Sequence, residues 1–277
     1  HDEMDLWEKL DLDVYPHCDP LPVNPATPDQ ISERQWKITD KSTGQWVIYD
    51  YSADSDVYDM VDSSIRSGGL SELEKLTNHL ERQEFDPQGW DFSYVEMVLE
   101  RFGKDKMVLA SADVEIGSTF DWAETFLIGL VEAPDLIHRY LDARLKSTLK
   151  LTEMLLERGV HGIHGGYDWA ANKGPIFSPR HFRKFVFPRM KQITDLCHRY
   201  GVPYIKHTDG NVNSLLDDMI ASGIDAFQAI EPRANMNIAE IKQKYGDRLT
   251  LIGNVDCSTV LVDGPAEAVA EQTKAII

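Results

Sequence analysis

Along the second half of the chain, short apolar runs of strand length alternate with longer stretches whose apolar residues return every three or four positions. The runs are Gly162-Ile163-His164-Gly165, Pro203-Tyr204-Ile205-Lys206-His207, Ala226-Phe227-Gln228-Ala229-Ile230 and Leu249-Thr250-Leu251-Ile252. Each predicts a buried strand. Between them, Ser178-Pro179 supplies N-cap and N1 residues for a helix. Phe182, Phe185, Val186, Met190, Ile193, Cys197 and Tyr200 form its apolar stripe, Gly201 its end, and Pro188 should kink it. Shorter helices are predicted over 213–221 and 237–245, and another after Gly264-Pro265. Strand and helix in strict alternation predict a parallel sheet.

The first half is less regular. Trp36 and Ile38, then Trp46 and Ile48, alternate with polar residues across Lys41-Ser42-Thr43-Gly44, which predicts a β-hairpin near 36–51. Ser71 and Glu74 have capping-box spacing for a helix. Phe92 to Phe102 is amphipathic, Met107 to Ala110 reads as a strand, and 121–130 and 134–158 read as helices. With 277 residues, 42% of them hydrophobic, the chain suits one large α/β domain.

Chemistry gathers where the runs break off. Asp168, His207, Asp209, Glu231, Asn254 and Asp256 all follow or end a predicted strand. In parallel α/β folds the carboxyl ends of the strands face the ligand. Asp and Asn are also ordinary helix caps and turn residues, so each taken singly has that second reading. His207 and Asp209, two residues apart on one strand, would point the same way. An imidazole and a carboxylate suit zinc or another divalent ion. Asp168, Glu231 and Cys257 are candidates to complete the shell, although a lone cysteine is more commonly a small buried residue. His164 lies mid-strand and reads as a hydrogen-bonded core histidine, and His198 as a complement to a helix C-terminus.

A net charge of −18 argues against nucleic acid and anionic membranes as partners. Three widely spaced cysteines form no disulfide framework and indicate a reducing, cytoplasmic setting. No run is long and apolar enough to span a bilayer, and no signal-peptide pattern opens the sequence.

From Gly162 onward the order of landmarks resembles the uroporphyrinogen decarboxylase superfamily. These landmarks are Gly165-Gly166-Tyr167-Asp168, Gly174-Pro175, Ser178-Pro179, Pro188 with Lys191, and His207 with Asp209-Gly210-Asn211. They continue through Glu231-Pro232 with Asn237, Tyr245-Gly246-Asp247-Arg248-Leu249 and Gly253-Asn254-Val255-Asp256. The resemblance implies a (β/α)8 TIM-type barrel over residues 1–277, with the hairpin as an insertion. The first barrel strand and the last strand and helix of such a barrel are not found in the sequence, which then is either a fragment or differs from the family at its ends.

The resemblance further implies an enzyme. The favoured expectation is a metal-assisted methyltransferase moving a methyl group between a small substrate or thiol and a corrinoid carried by a separate protein. The alternatives are uroporphyrinogen decarboxylation, which needs no cofactor, and a non-catalytic barrel subunit. The zinc motif of the superfamily's cobamide-dependent methyltransferases is similar to His-x-Cys with a later cysteine, and His207-Thr208-Asp209 carries aspartate in place of the first cysteine. The expected metal ligands are His207, Asp209 and Cys257, with zinc favoured. Asp168, Glu231 and Asp256 are expected to be catalytic, and Tyr167, Asn211 and Asn254 to bind substrate. A homodimer is the assembly considered.

Overall fold

The computed structural model describes residues 2–117 and 120–277, which fall into two compact units. The first comprises the chain up to Asp19, Val95–Val114 and Thr152–Ile277. Its centre is a curled, all-parallel sheet of six strands in sequential order: β1 (Val14–Tyr15), β2 (Met107–Ser111), β3 (Gly162–Gly165), β4 (Tyr204–Thr208), β5 (Ala226–Ala229) and β6 (Thr250–Gly253). The parallel α/β reading therefore holds over the six strands present. One of them, β1, was not found in the sequence. It pairs Val14 with Met107 and Tyr15 with Val108, and two residues are too few to show a period.

Strand alternation gives the sheet two different faces. On one, Leu109, Ile205 and Ala226 form an apolar cluster joined by Val14 and Met107. Two residues further along the strands the same face turns polar, with Ser111, His207 and Gln228. On the other face Tyr204, Lys206 and Thr208 are buried.

The helix predicted from Ser178 is made in two parts. Ser178 Oγ caps its first turn by accepting from His181 N–H, a π-helical segment covers Phe182–Val186, and an α-helix runs over Phe187–Arg199. Pro188 falls in the first turn of this last part, directly after the π segment, and donates no N–H to the helix there. The irregularity thus sits before the proline, as a π segment, and Phe182, Phe185 and Val186 are buried within it.

The second unit comprises Pro20–Tyr94 and Glu115–Leu151. It contains a four-stranded antiparallel sheet in the order Asp29–Gln30, Gln35–Thr39, Trp46–Ser52, Val57–Ser63. Trp36 stands opposite Tyr49 and Thr39 opposite Trp46. The capping box expected at Ser71 and Glu74 is not formed. The helix Leu70–Arg82 begins at Gly69, and Ser71 Oγ donates to Gly68 O instead. A short helix, Ser64–Gly68, ends just before it, and glycine with φ 62° at position 69 makes the change of direction. Among the described residues no helix is long and apolar enough to cross a membrane.

Candidate metal centre

Three of the acids and histidines foreseen at the strand ends converge. One ligand atom from each of Asp168, His207 and Asp209 lies within 4.8 Å of the others. All three side chains are half-buried. Their placement follows from the backbone upward. His207 is on β4, and Asp209 leaves its end. Asp168 lies beyond β3, in a segment held on both sides. Tyr167 donates its N–H to Asp113 Oδ2 at 3.0 Å, and Trp169 donates its N–H to Thr208 Oγ1 at 2.7 Å. Asp168 itself accepts the Asp209 N–H on Oδ1 at 2.8 Å, a bond that ties the two ligand-bearing loops together.

Beneath this segment lies a buried ion pair. Lys206 Nζ donates to Asp113 Oδ2 at 2.6 Å and to Tyr167 O at 2.7 Å, and sits 4.2 Å from the centroid of the Trp169 ring. Both partners are buried. Burial pushes the Lys206 amine below its ordinary value, and Asp113 opposes that push. The phenol of Tyr204 reaches Ala112 O at 2.9 Å. It can do so because position 165 is glycine: a Cβ there would come within 2.0 Å of the Tyr204 oxygen.

The electrostatics of the three groups are uneven. His207 Nε2 lies 3.5 Å from Asp168 Oδ1. That contact raises the imidazole above its ordinary pKa and lowers the Asp168 carboxyl below its own. Asp209 moves the opposite way. Desolvation raises it, and the neighbouring charges of Asp168 and Glu231 add to the effect. Two carboxylates thus flank one imidazole, with a third, Glu231, acting on Asp209, an arrangement that a bound cation would relieve. The donor set of one nitrogen and several carboxylate oxygens fits a divalent ion such as zinc or a harder metal.

Glu231 joins from the next strand end, accepting the Gly210 N–H on Oε2 at 3.0 Å. The chain reaches it through two residues with positive φ, Ala229 at 98° and Ile230 at 52°. Both are costly conformations for residues with a Cβ, and steric outliers of this kind collect at functional sites. Gly210 (φ 81°) lies against the backbone of Ala170, where a Cβ would approach within 2.5 Å.

The remaining residues singled out in the sequence lie elsewhere. Asn254 Nδ2 donates to Ile230 O at 2.6 Å and to Met236 O at 3.1 Å, bracing the strained end of β5. Asn211 Oδ1 accepts from Asn213 N–H within its own loop. Asp256 accepts the N–H groups of Ser258 and Thr259 and the Thr259 hydroxyl, bonds made within its own turn. Cys257 is exposed and is not in the cluster.

Sequence reasoning passed over Gln228, whose carboxamide oxygen is 2.6 Å from His207 Nδ1 and 3.4 Å from His164 Nε2. It also passed over His17, whose ring stands 5.4 Å from that of His164. His164 is indeed hydrogen-bonded, yet it lies 6.0 Å, ring to ring, from His207. A polar residue inside an apolar strand was the available signal for Gln228, but its partner depends on strand register.

Residues 109–277 match the uroporphyrinogen decarboxylase (URO-D) family. The chain is similar to the methylcobamide:CoM methyltransferase MtaA of Methanosarcina barkeri, at 24% identity over 182 residues covering 65% of this chain and 52% of that protein. It is similar also to the uroporphyrinogen decarboxylase of Vibrio cholerae serotype O1, at 26% identity over 210 residues, 74% of this chain and 54% of that one. Among solved structures, a methyltransferase from Methanosarcina mazei shares the fold with a TM-score of 0.60 at 22% identity, over 71% of this chain and 59% of its own. The chain spans about half the length of the curated relatives it matches.

Proposed function

Because the chain belongs to the uroporphyrinogen decarboxylase (URO-D) family, we propose that it is a metal-assisted methyltransferase, moving a methyl group between a small substrate or thiol and a corrinoid held by a separate protein. The observation that carries this reading is the convergence of Asp168, His207 and Asp209. On the same reading the six parallel strands are part of a (β/α)8 barrel whose carboxyl end holds the site.

The three side chains would hold the ion, with His207 binding through Nε2. When bound, a divalent ion supplies Lewis acidity that draws charge from the heteroatom carrying or accepting the methyl group. Asp168 is kept in place by the Asp209 amide, so the ligands need little reorganisation on binding. Of the two carboxylates in the cluster, Asp209, with its raised pKa, is the readier to take up a proton when no cation is present, since the Asp168 carboxyl is lowered. Glu231, fixed by the Gly210 amide, is placed to orient a polar substrate or handle its proton.

Metal analysis of the purified protein tests this reading. We expect near-stoichiometric zinc or another divalent ion in the wild type, lost in the His207→Ala, Asp209→Ala double variant. Metal-free wild type that also fails to bind added zinc would overturn it. The decarboxylase reading, which the Vibrio cholerae relative supports by its name, would then be taken up with a porphyrinogen turnover assay.

A further inference from the structure

On β5, Gln228 stands directly across from His207 in the parallel pairing of β4 with β5. Its Oε1 lies between two imidazoles, 2.6 Å from His207 Nδ1 and 3.4 Å from His164 Nε2. An amide oxygen only accepts, so each ring must present an N–H to it. His164 provides a check on this orientation. Its other nitrogen, Nδ1, is buried and has no partner among the described residues. With the proton on Nε2, Nδ1 is a bare lone pair, a modest loss. With the amide turned to offer its NH2, Nδ1 would carry a buried N–H with no acceptor, which costs the desolvation of a donor. The His164 environment therefore selects the oxygen, and the oxygen then selects the proton position on His207.

We propose that Gln228 is a positioning residue that fixes His207 as the Nδ1–H tautomer, leaving the Nε2 lone pair open toward Asp168 and Asp209. This rests on the metal-site reading given above for its use, though not for its geometry. A ligand histidine is commonly held in this way, its second nitrogen donating to a fixed acceptor that sets both the tautomer and the ring plane. Here the acceptor is on a neighbouring strand, so backbone register delivers it and little side-chain order is left to be gained. Without it, the Asp168 carboxylate, 3.5 Å from Nε2, is the acceptor that would draw the ring proton to that side. A proton there would occupy the lone pair that the metal needs.

The test combines two readouts on the wild type, Gln228→Leu and Gln228→Glu. Long-range proton–nitrogen NMR of chelator-treated protein, at a pH alkaline enough for neutral rings, reports the tautomer of His207. Zinc titration reports affinity. We expect Nδ1–H in the wild type and in Gln228→Glu, whose carboxylate still accepts, and a shift toward Nε2–H in Gln228→Leu. Zinc should bind about 10- to 100-fold more weakly to Gln228→Leu, with most of the affinity restored in Gln228→Glu. A purely structural role would not divide the two variants in this way. An Nε2–H tautomer in the wild type, or an unchanged tautomer in Gln228→Leu, overturns the proposal. Wild type that binds no zinc overturns the metal reading instead, and the tautomer measurement still decides the role of Gln228.

Discussion

Lys206 ties together two segments that frame the site, although it is not among the three converging side chains. It is fully buried, and it joins Asp113 on β2's exit to the Tyr167 carbonyl beyond β3. Removing one member of a buried pair leaves the other charge uncompensated, which is worse than removing both. Lys206→Met is expected to cost about 3–5 kcal/mol of stability, and adding Asp113→Asn should recover a substantial part of it. Denaturant titration of the two variants measures this, and a single variant within ~1 kcal/mol of wild type would show that the pair does not brace the segment. The lysine stood in plain view in the sequence beside His207. Nothing in its spacing pointed to Asp113, which is 93 positions away.

Among the elements, the loops leaving the strands do the positioning, and they work by close backbone approach. Gly210 illustrates the constraint: its φ is 81°, and the Ala170 carbonyl carbon fills the space a Cβ would need. Gly210→Ala should destabilise the protein by more than ~1 kcal/mol, from backbone strain and the clash together. It should also weaken zinc binding by displacing Asp209 and loosening Glu231 from the Gly210 amide. Calorimetry and metal titration of this variant would show both effects, and wild-type behaviour in both would remove the loop from the account. Elements with a clear apolar run or period were legible in the sequence, such as β2 from its run and the helix Phe187–Arg199 from its period. The start of Leu70–Arg82 was misplaced because a preceding helix ends at Gly68 and Gly69, with φ 62°, breaks the chain between the two, and a local capping pattern at Ser71 carries no knowledge of that break.

For the whole molecule, the contact between His207 and Asp168 links stability to pH. With metal removed, the raised His207 pKa means its contribution is fully present below the ordinary value of 6.5 and is lost as pH rises through the raised value. Asp168 is lowered, so its contribution is present above the ordinary 3.8 and is lost as pH falls through the lowered value. The pair therefore stabilises the apo protein across the window between those two values. His207→Gln should reduce apo stability at about pH 5.5 and do so much less at about pH 9, as followed by thermal melting. An equal loss at both values would mean that packing, and not the ion pair, is what His207 contributes. Zinc competes with the proton for the same nitrogen, so the holo protein should not show this dependence in the same window.

The sequence by itself determined the parallel alternation of strand and helix and the polar character of the strand ends, because both are written in local periodicity and in where apolar runs stop. It also placed His207 and Asp209 on one side of their strand, since two residues make one pleat. Only the tertiary structure decided which strand-end residues meet. It brought Asp168 to the pair and Glu231 beside it, left Asp256 bonded within its own turn and Cys257 exposed, and set Gln228 against His207. Those outcomes depend on strand register and on loop closure between segments far apart in the chain, and neither leaves a periodic trace in the order of residues.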